Sequence, residues 1–281
     1  MKKRIAFLIV LIVISLLCLA AFSGCEFLKT NDRSNVKLMA TEAVENGLYI
    51  YLNCYYGLVQ TLEYTDGETF FYEFSTNKLS PNEKSSAITI PEVVMDGETS
   101  PHASLEVTDG YEPLLEQVQN FTIEGVEYPV YHALAFKEGD VVYGFCNVYS
   151  TAGFSCALDC KGISYSVLFT YDSETEQITV IERLEKSIVI AFDGKSVIWF
   201  NNKTYYGKNL GGAALEICKD AAYDSGLTNY SYAYFYFGGG YCMLCFHSDK
   251  GGAPNNKNNY DLYVLATMSG EKLAEYSQPL D

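Results

Sequence analysis

From residue 40 onward the sequence alternates short apolar runs with glycine-containing turns, and this pattern predicts few helices. No long stretch carries the i, i+3, i+4, i+7 apolar spacing of an amphipathic helix. The runs are rich in Tyr and Phe, which number 24 and 16 against a single Trp and which favour strands. The pattern predicts an all-β chain of antiparallel strands. Only three short helices are predicted, at residues 41–45, 114–119 and 213–218.

Three hairpin-like segments repeat along the chain, and each has a turn glycine six residues before a phenylalanine. The segments are residues 133–145, 189–200 and 234–246. The glycine and phenylalanine pairs are Gly139 with Phe145, Gly194 with Phe200, and Gly240 with Phe246. Successive copies lie 194 − 139 = 55 and 240 − 194 = 46 residues apart. Second hairpins are predicted between them at 166–184 and 261–276, and a weaker copy at 44–53.

Two hairpins in roughly 50 residues make one four-stranded sheet, and this arrangement resembles the blade of a β-propeller. The resemblance implies antiparallel four-stranded repeats in a propeller-like domain of four to five blades. A β-sandwich or a curved meander remains the alternative, since any antiparallel protein contains glycine-turn hairpins of this length. Residues 96–127 fit the repeat poorly, and they are interpreted as an insertion or a degenerate repeat. Buried packing is predicted for Phe145, Trp199, Phe200 and Phe246.

The N-terminus has three cations, an apolar run over residues 5–22, and small residues before a cysteine. This order is typical of a signal peptide. Phe22-Ser23-Gly24-Cys25 resembles the lipobox of bacterial lipoproteins, which implies cleavage before Cys25 and diacylglycerol on its thiol. The resemblance predicts an extracytoplasmic protein anchored in a bacterial membrane by lipid at Cys25. An uncleaved anchor and a plain secreted protein are the alternatives. The predicted organisation is a signal peptide at 1–24, a lipidated tether at 25–37 and the repeat domain at 38–281.

The charge of the chain limits its partners. The formal net charge is −16, and loss of Lys2, Lys3 and Arg4 with the signal peptide makes it −19. Such an acidic chain repels phosphate backbones, so nucleic acid is not expected as a partner. The expected partners are the membrane, through the N-terminal lipid, and a glycan, peptide or surface protein.

Motifs for catalysis are weak. The three histidines are His102, His132 and His247, and residues 153–157 only faintly resemble a nucleophile elbow. Cys242 and Cys245 match C-x-x-C, but residues three apart on a strand point to opposite faces. No catalytic residue, metal site or cofactor is therefore predicted. Of the nine cysteines, seven remain once Cys18 in the signal peptide and the lipidated Cys25 are set aside, and seven cannot all pair. Mostly buried thiols are expected rather than a disulfide framework.

Two classes of function remain open. A noncatalytic binding or scaffold module accounts for the few histidines and the surface location, whereas an extracellular hydrolase or lyase acting on polysaccharide or cell-wall material is the alternative. The candidate ligand-binding residues are Tyr230, Tyr232, Tyr234 and Tyr236, because residues two apart line one face of a strand. Such a ladder is either a platform for sugar rings or a peptide, or an ordinary set of core tyrosines.

Overall fold

The structure is a computed structural model, and it is all-β with one short helix among the residues that it describes. These residues belong to one compact unit, Ser34–Asp281. They are 35–56, 68–84, 91–98, 104–119, 121–123, 126–127, 130–149, 163–219, 230–248 and 260–279.

The largest sheet has eight strands contributed by the two ends of the unit. Its N-terminal strands are β1 (Asn35–Val44), β2 (Gly47–Tyr56), β3 (Glu68–Glu73) and β4 (Lys78–Asn82). Its C-terminal strands are β17 (Tyr230–Gly238), β18 (Tyr241–Ser248), β19 (Tyr260–Thr267) and β20 (Lys272–Pro279). The order is β20-β19-β18-β17-β1-β2-β3-β4. All neighbours are antiparallel except β1 and β17, which run parallel.

This sheet curls until it is nearly closed. β3 and β19 lie near opposite edges of the strand order, yet the rings of Phe70 and Tyr263 are 4.8 Å apart between centroids. The Phe70 ring is also 6.1 Å from that of Tyr276 on β20. Contacts between rings on the two edges are possible only when the sheet bends round on itself. The sheet therefore has an inner face, which these rings occupy, and an outer face.

Alternation along the strands divides the residues between the two faces. The inner face carries an apolar cluster that includes Met39, Ile50 and Leu265. The outer face carries Tyr51, Phe246 and other members of the main core. A sheet buried on both faces requires near-continuous apolar strands. The segment Cys242 to Phe246, buried throughout, meets that requirement.

A six-stranded antiparallel sheet and the helix pack together in the middle of the chain. Its strands are β5 (Glu92–Glu98), β6 (Glu106–Val107), β9 (Val130–Glu138), β10 (Val141–Tyr149), β11 (Ile163–Asp172) and β12 (Gln177–Glu185). The helix α1 (Glu112–Gln119) buries Leu114 and Val118, four residues apart on one face. Gln117 fixes the helix to the start of β12, since its Nε2 donates to the Glu176 carbonyl at 2.6 Å.

A four-stranded sheet completes the core, and a two-stranded hairpin lies between α1 and β9. The four strands are β13 (Ile188–Phe192), β14 (Ser196–Asn201), β15 (Thr204–Asn209) and β16 (Leu215–Lys219). The hairpin is β7 (Thr122–Ile123) with β8 (Val126–Glu127). One apolar cluster is shared by the four-stranded sheet, one face of the six-stranded sheet and the outer face of the eight-stranded sheet.

A buried polar network joins two of these sheets. Asn147 on β10 donates from Nδ2 to the Val189 carbonyl on β13 and accepts from the Val189 amide, both at 3.0 Å. The hydroxyl of Ser166 on β11 lies 2.5 Å from both Asn147 Oδ1 and the Ser187 carbonyl. Backbone groups at the start of β13 thereby gain buried side-chain partners.

The three repeated segments are confirmed as the hairpins β9–β10, β13–β14 and β17–β18. The third turns through Gly239 and Gly240, whose φ values of 61° and 84° are the left-handed conformation that two-residue hairpin turns need. The four aromatic residues predicted to be packed are all buried in the shared core. They are Phe145, Trp199, Phe200 and Phe246.

The all-β class is confirmed, but the propeller is not. The repeated hairpins belong to three different sheets, and the described sheets have eight, six, four and two strands rather than four strands each. Face-to-face packing of these sheets is compatible with the β-sandwich alternative. The physical reason is that hairpin spacing along the chain specifies local pairing but not which hairpins share a sheet.

Of the predicted helices, residues 114–119 are confirmed within α1. Residues 41–45 are wrong as a helix, because they end β1 and enter its turn, where pairing with β2 overrides local propensity. Residues 213–218 are likewise wrong, because Leu215–Lys219 pairs with β15 as β16. Residues 96–127, which fit the repeat poorly, contain the end of β5, β6, α1, β7 and β8.

Candidate functional site

Polar and charged side chains gather on the inner face at one end of the eight-stranded sheet. We call it the lower end, where β1, β3, β17 and β19 begin. Glu68 lies two residues before Phe70, and Asp261 two residues before Tyr263, so each shares the inner face with its ring. Because those two rings are in contact, the carboxylates both lie one pleat, about 7 Å, below one ring pair. Glu68 is exposed and Asp261 half-buried.

An ammonium group lies on the same inner face. Lys37 is two residues before the buried Met39, and its Nζ lies 4.3 Å from the ring centroid of Tyr234. A cation at this distance from a phenol face is attracted by the ring quadrupole. Tyr234 and its neighbour Tyr236 are half-buried and pack against the inner apolar cluster. The lower end thus combines aromatic faces with charges of both signs.

The carboxylates act on groups deeper in the sheet. Burial, followed by the charges of Glu68 and Asp261, raises the pKa of the Cys245 thiol, while Lys37 opposes the rise. Burial, followed by the charge of Glu68, also raises the pKa of Tyr263. Both groups therefore stay protonated at neutral pH. A buried neutral thiol is a poor nucleophile and a poor metal ligand, so Cys245 contributes packing to this part of the sheet.

The register of β17 locates the predicted tyrosine ladder. Tyr232 pairs with His247, Tyr234 with Cys245, and the pairing is regular from there to the turn. The register shifts between Tyr230 and Tyr232. The two-residue alternation is therefore uninterrupted from Tyr232 to Tyr236, and Tyr230 lies beyond the irregularity. The side chains of Tyr230 and Tyr232 lie outside the described residues.

Comparison with known proteins assigns no family. Neither a scan against protein-family models nor a search of the curated proteins finds a match to this sequence. In the part of the chain that the structure describes, no helix has the length and apolar character needed to cross a bilayer. Within those same residues there is no group of three or more His, Cys, Asp and Glu side chains placed to hold a metal ion.

The cysteine predictions are confirmed where the structure describes them. Cys242 is buried in the shared core and Cys245 in the inner cluster, on opposite faces of β18 as the strand geometry requires. Cys146 is a buried free thiol as well, and burial raises its pKa. Cys218 on β16 is half-buried and packs against the shared core. These thiols contribute to packing.

Other residues singled out in the sequence are placed away from the lower end or lie outside the description. His132 is half-buried beside Phe145, and desolvation lowers its pKa to about 4, so it is neutral at pH 7. Glu174 and Glu176, a carboxylate pair close in sequence, are both exposed at the β11–β12 turn. Cys25, His102 and residues 153–157 lie outside the described residues.

Sequence reasoning missed most of the charged residues at this end. Lys37 lies in the predicted tether of residues 25–37, whereas β1 already begins at Asn35. Glu68 and Tyr263 were not singled out. The missed signal is a carboxylate in phase with an aromatic series, as in Glu68, Phe70, Tyr72 and in Asp261, Tyr263, Leu265. That phase puts a charge on the apolar face of a strand, where it needs a functional or structural reason.

Proposed function

We propose that this chain is a bacterial surface lipoprotein whose all-β domain is a noncatalytic binding or scaffold module. Its ligand meets the lower end of the eight-stranded sheet. The observation that carries the proposal is the half-buried pair Tyr234 and Tyr236, held on a curved inner face beside Lys37, Glu68 and Asp261. Rigid tyrosines with nearby polar groups favour recognition, because they offer large contact area at low entropic cost.

The lipid anchor adds a geometric constraint to the proposal. β1 begins at Asn35, which is 35 − 25 = 10 residues after the cysteine of the lipobox-like sequence. Ten residues span at most about 35 Å when fully extended. The lower end, where β1 starts, then stays within about 35 Å of the bilayer surface. Its ligand is accordingly a component of the envelope close to the membrane, such as a glycan, a peptide or another surface protein.

The ligand is found by screening the full-length protein, purified in nonionic detergent, against glycans, peptides and cell-wall fragments. Two variants then test where on the protein the ligand binds. Tyr232→Ala combined with Tyr234→Ala is expected to abolish binding and to shift the melting temperature little. Phe74→Ala, at the opposite end of the sheet and 47% exposed, is the matched aromatic control and should bind normally. Collapse of the fold with the double variant, or equal loss with the control, would contradict the proposal.

An extracellular hydrolase or lyase is the second candidate, because two carboxylates lie at the lower end and glycosidic bonds are cleaved by carboxylate pairs. The same screen separates the two candidates. Release of shorter glycan products that stops with both Glu68→Gln and Asp261→Asn would favour the enzyme. Binding without turnover favours the module.

A further inference from the structure

At the lower end, the ammonium group of Lys37 lies against an aromatic ring of the same sheet. Lys37 extends from β1 and places Nζ 4.3 Å above the Tyr234 ring. Glu68 and Asp261 lie on the same inner face, and both act electrostatically on Cys245 in the same direction, opposite to Lys37. The three charges therefore share one region of the sheet, with two carboxylates against one ammonium.

We propose that this end binds the lysine side chain of an extended peptide, which takes the position over Tyr234 that Lys37 occupies here. The inference rests on the proposed binding function and names its ligand class. Exchange of one ammonium for another keeps the cation over the ring. It also brings a second positive charge to a region where carboxylates outnumber cations among the described side chains.

Charge complementarity favours a cationic occupant over the other candidates. A neutral sugar ring would stack on Tyr234 but would bring no positive charge to the region that Glu68 and Asp261 share. The mature chain carries −19 if the signal peptide is removed, and this field attracts cations and slows the approach of anionic polymers. Lys37 itself shows that a lysine presented from an extended strand reaches the ring.

The probe is a fluorescently labelled tetralysine peptide, compared with the same peptide acetylated on every lysine. Fluorescence anisotropy is measured with the full-length protein in nonionic detergent. We expect tetralysine to bind at least about tenfold more tightly than the acetylated peptide, because acetylation removes both the ion pairs and the cation–π contact. We also expect the affinity to fall as ionic strength rises.

Variants that remove either a negative or a positive charge then test the site. Glu68→Gln and Asp261→Asn should each weaken tetralysine binding by about three- to tenfold, the range of a partly exposed ion pair. Lys37→Met should strengthen it by a similar factor, because the internal competitor for the Tyr234 ring and its positive charge are gone. Glu174→Gln and Lys195→Met make the same charge changes on exposed turns and should leave the affinity within about twofold.

Several results would overturn the proposal. Weaker binding by Lys37→Met would show that this lysine supports the site instead of occupying it. If Glu174→Gln lost as much affinity for tetralysine as Glu68→Gln, net charge alone would explain the binding. Tighter binding of a glucosamine oligomer would replace the peptide with a glycan. If a variant fails to melt cooperatively, the proposal is still tested on the wild-type protein by the comparison with the acetylated peptide and by the salt titration.

These outcomes are distinct from failure of the proposed function. If the acetylated peptide binds as well as tetralysine, and binding is lost with Tyr234→Ala, the tyrosine face binds ligands but the lysine assignment is wrong. If the peptides and every component of the screen fail to bind, the proposed function and this inference fail together.

Discussion

Replacement of Asn147 with Ala tests how the four-stranded sheet is attached to the six-stranded sheet. Asn147 is 1% exposed and serves both the amide and the carbonyl of Val189 at 3.0 Å. The alanine removes this donor from the Val189 carbonyl and one of the two side-chain acceptors from the amide, which keeps Ser166 Oγ at 3.2 Å. Each buried polar group that loses its partner costs about 1 to 3 kcal/mol, so we expect a loss of about 2 to 5 kcal/mol.

The assay is urea denaturation followed by circular dichroism, with thermal melting as a second probe. A loss of about 3 kcal/mol lowers the melting temperature of a domain of this size by about 6 to 12 °C. Asn209→Ala is the matched control, because that exposed side chain accepts one bond, from Ser196 Oγ at 2.8 Å. Its expected cost is below about 1 kcal/mol. Equal stability of the two variants would refute the reasoning that the buried network connects the sheets.

Three further predictions follow from the sequence and the packing. Cys25→Ser should move the protein from the membrane to the soluble fraction on cell fractionation and remove the lipid mass from its N-terminus; retention of both would contradict lipidation. Phe246→Ala, at a side chain 1% exposed in the shared core, should cost about 3 to 5 kcal/mol in urea denaturation, whereas Phe74→Ala should cost far less. His132 has a folded pKa of about 4, below its unfolded value of about 6.5, so the unfolded state binds its proton first and stability falls as the pH drops through that window. His132→Phe should remove up to about 3 kcal/mol of that pH dependence, and an unchanged slope would contradict the assignment.

Local pairing was predictable from the sequence because turn chemistry is local. Gly139, Gly194 and Gly240 mark turns whose flanking runs pair as predicted, and α1 was recognised from residues 114–119. Sheet membership was not predictable in the same way. The parallel contact of β1 with β17 joins segments almost 200 residues apart, and nothing in either segment encodes its partner.

The candidate site was only partly predictable for the same reason. Tyr234 and Tyr236 were identified from alternation within one strand. Their charged neighbours come from other strands, and they meet at one end only because the sheet curls until Phe70 reaches Tyr263. Lys37 was missed because its surroundings in the sequence are polar, and only the pairing of β1 with β2 brings it onto the inner face.

The central claim is that ligand binds at the lower end of the eight-stranded sheet, and hydroxyl-radical footprinting with the ligand found by screening tests it most directly. Oxidation of aromatic side chains is read by mass spectrometry with and without ligand. The account predicts that ligand lowers the oxidation of Tyr234 and Tyr236 and leaves that of Phe74 unchanged, since Phe74 is exposed beyond the opposite end of β3. Protection of Phe74 with unchanged oxidation of the two tyrosines would contradict it.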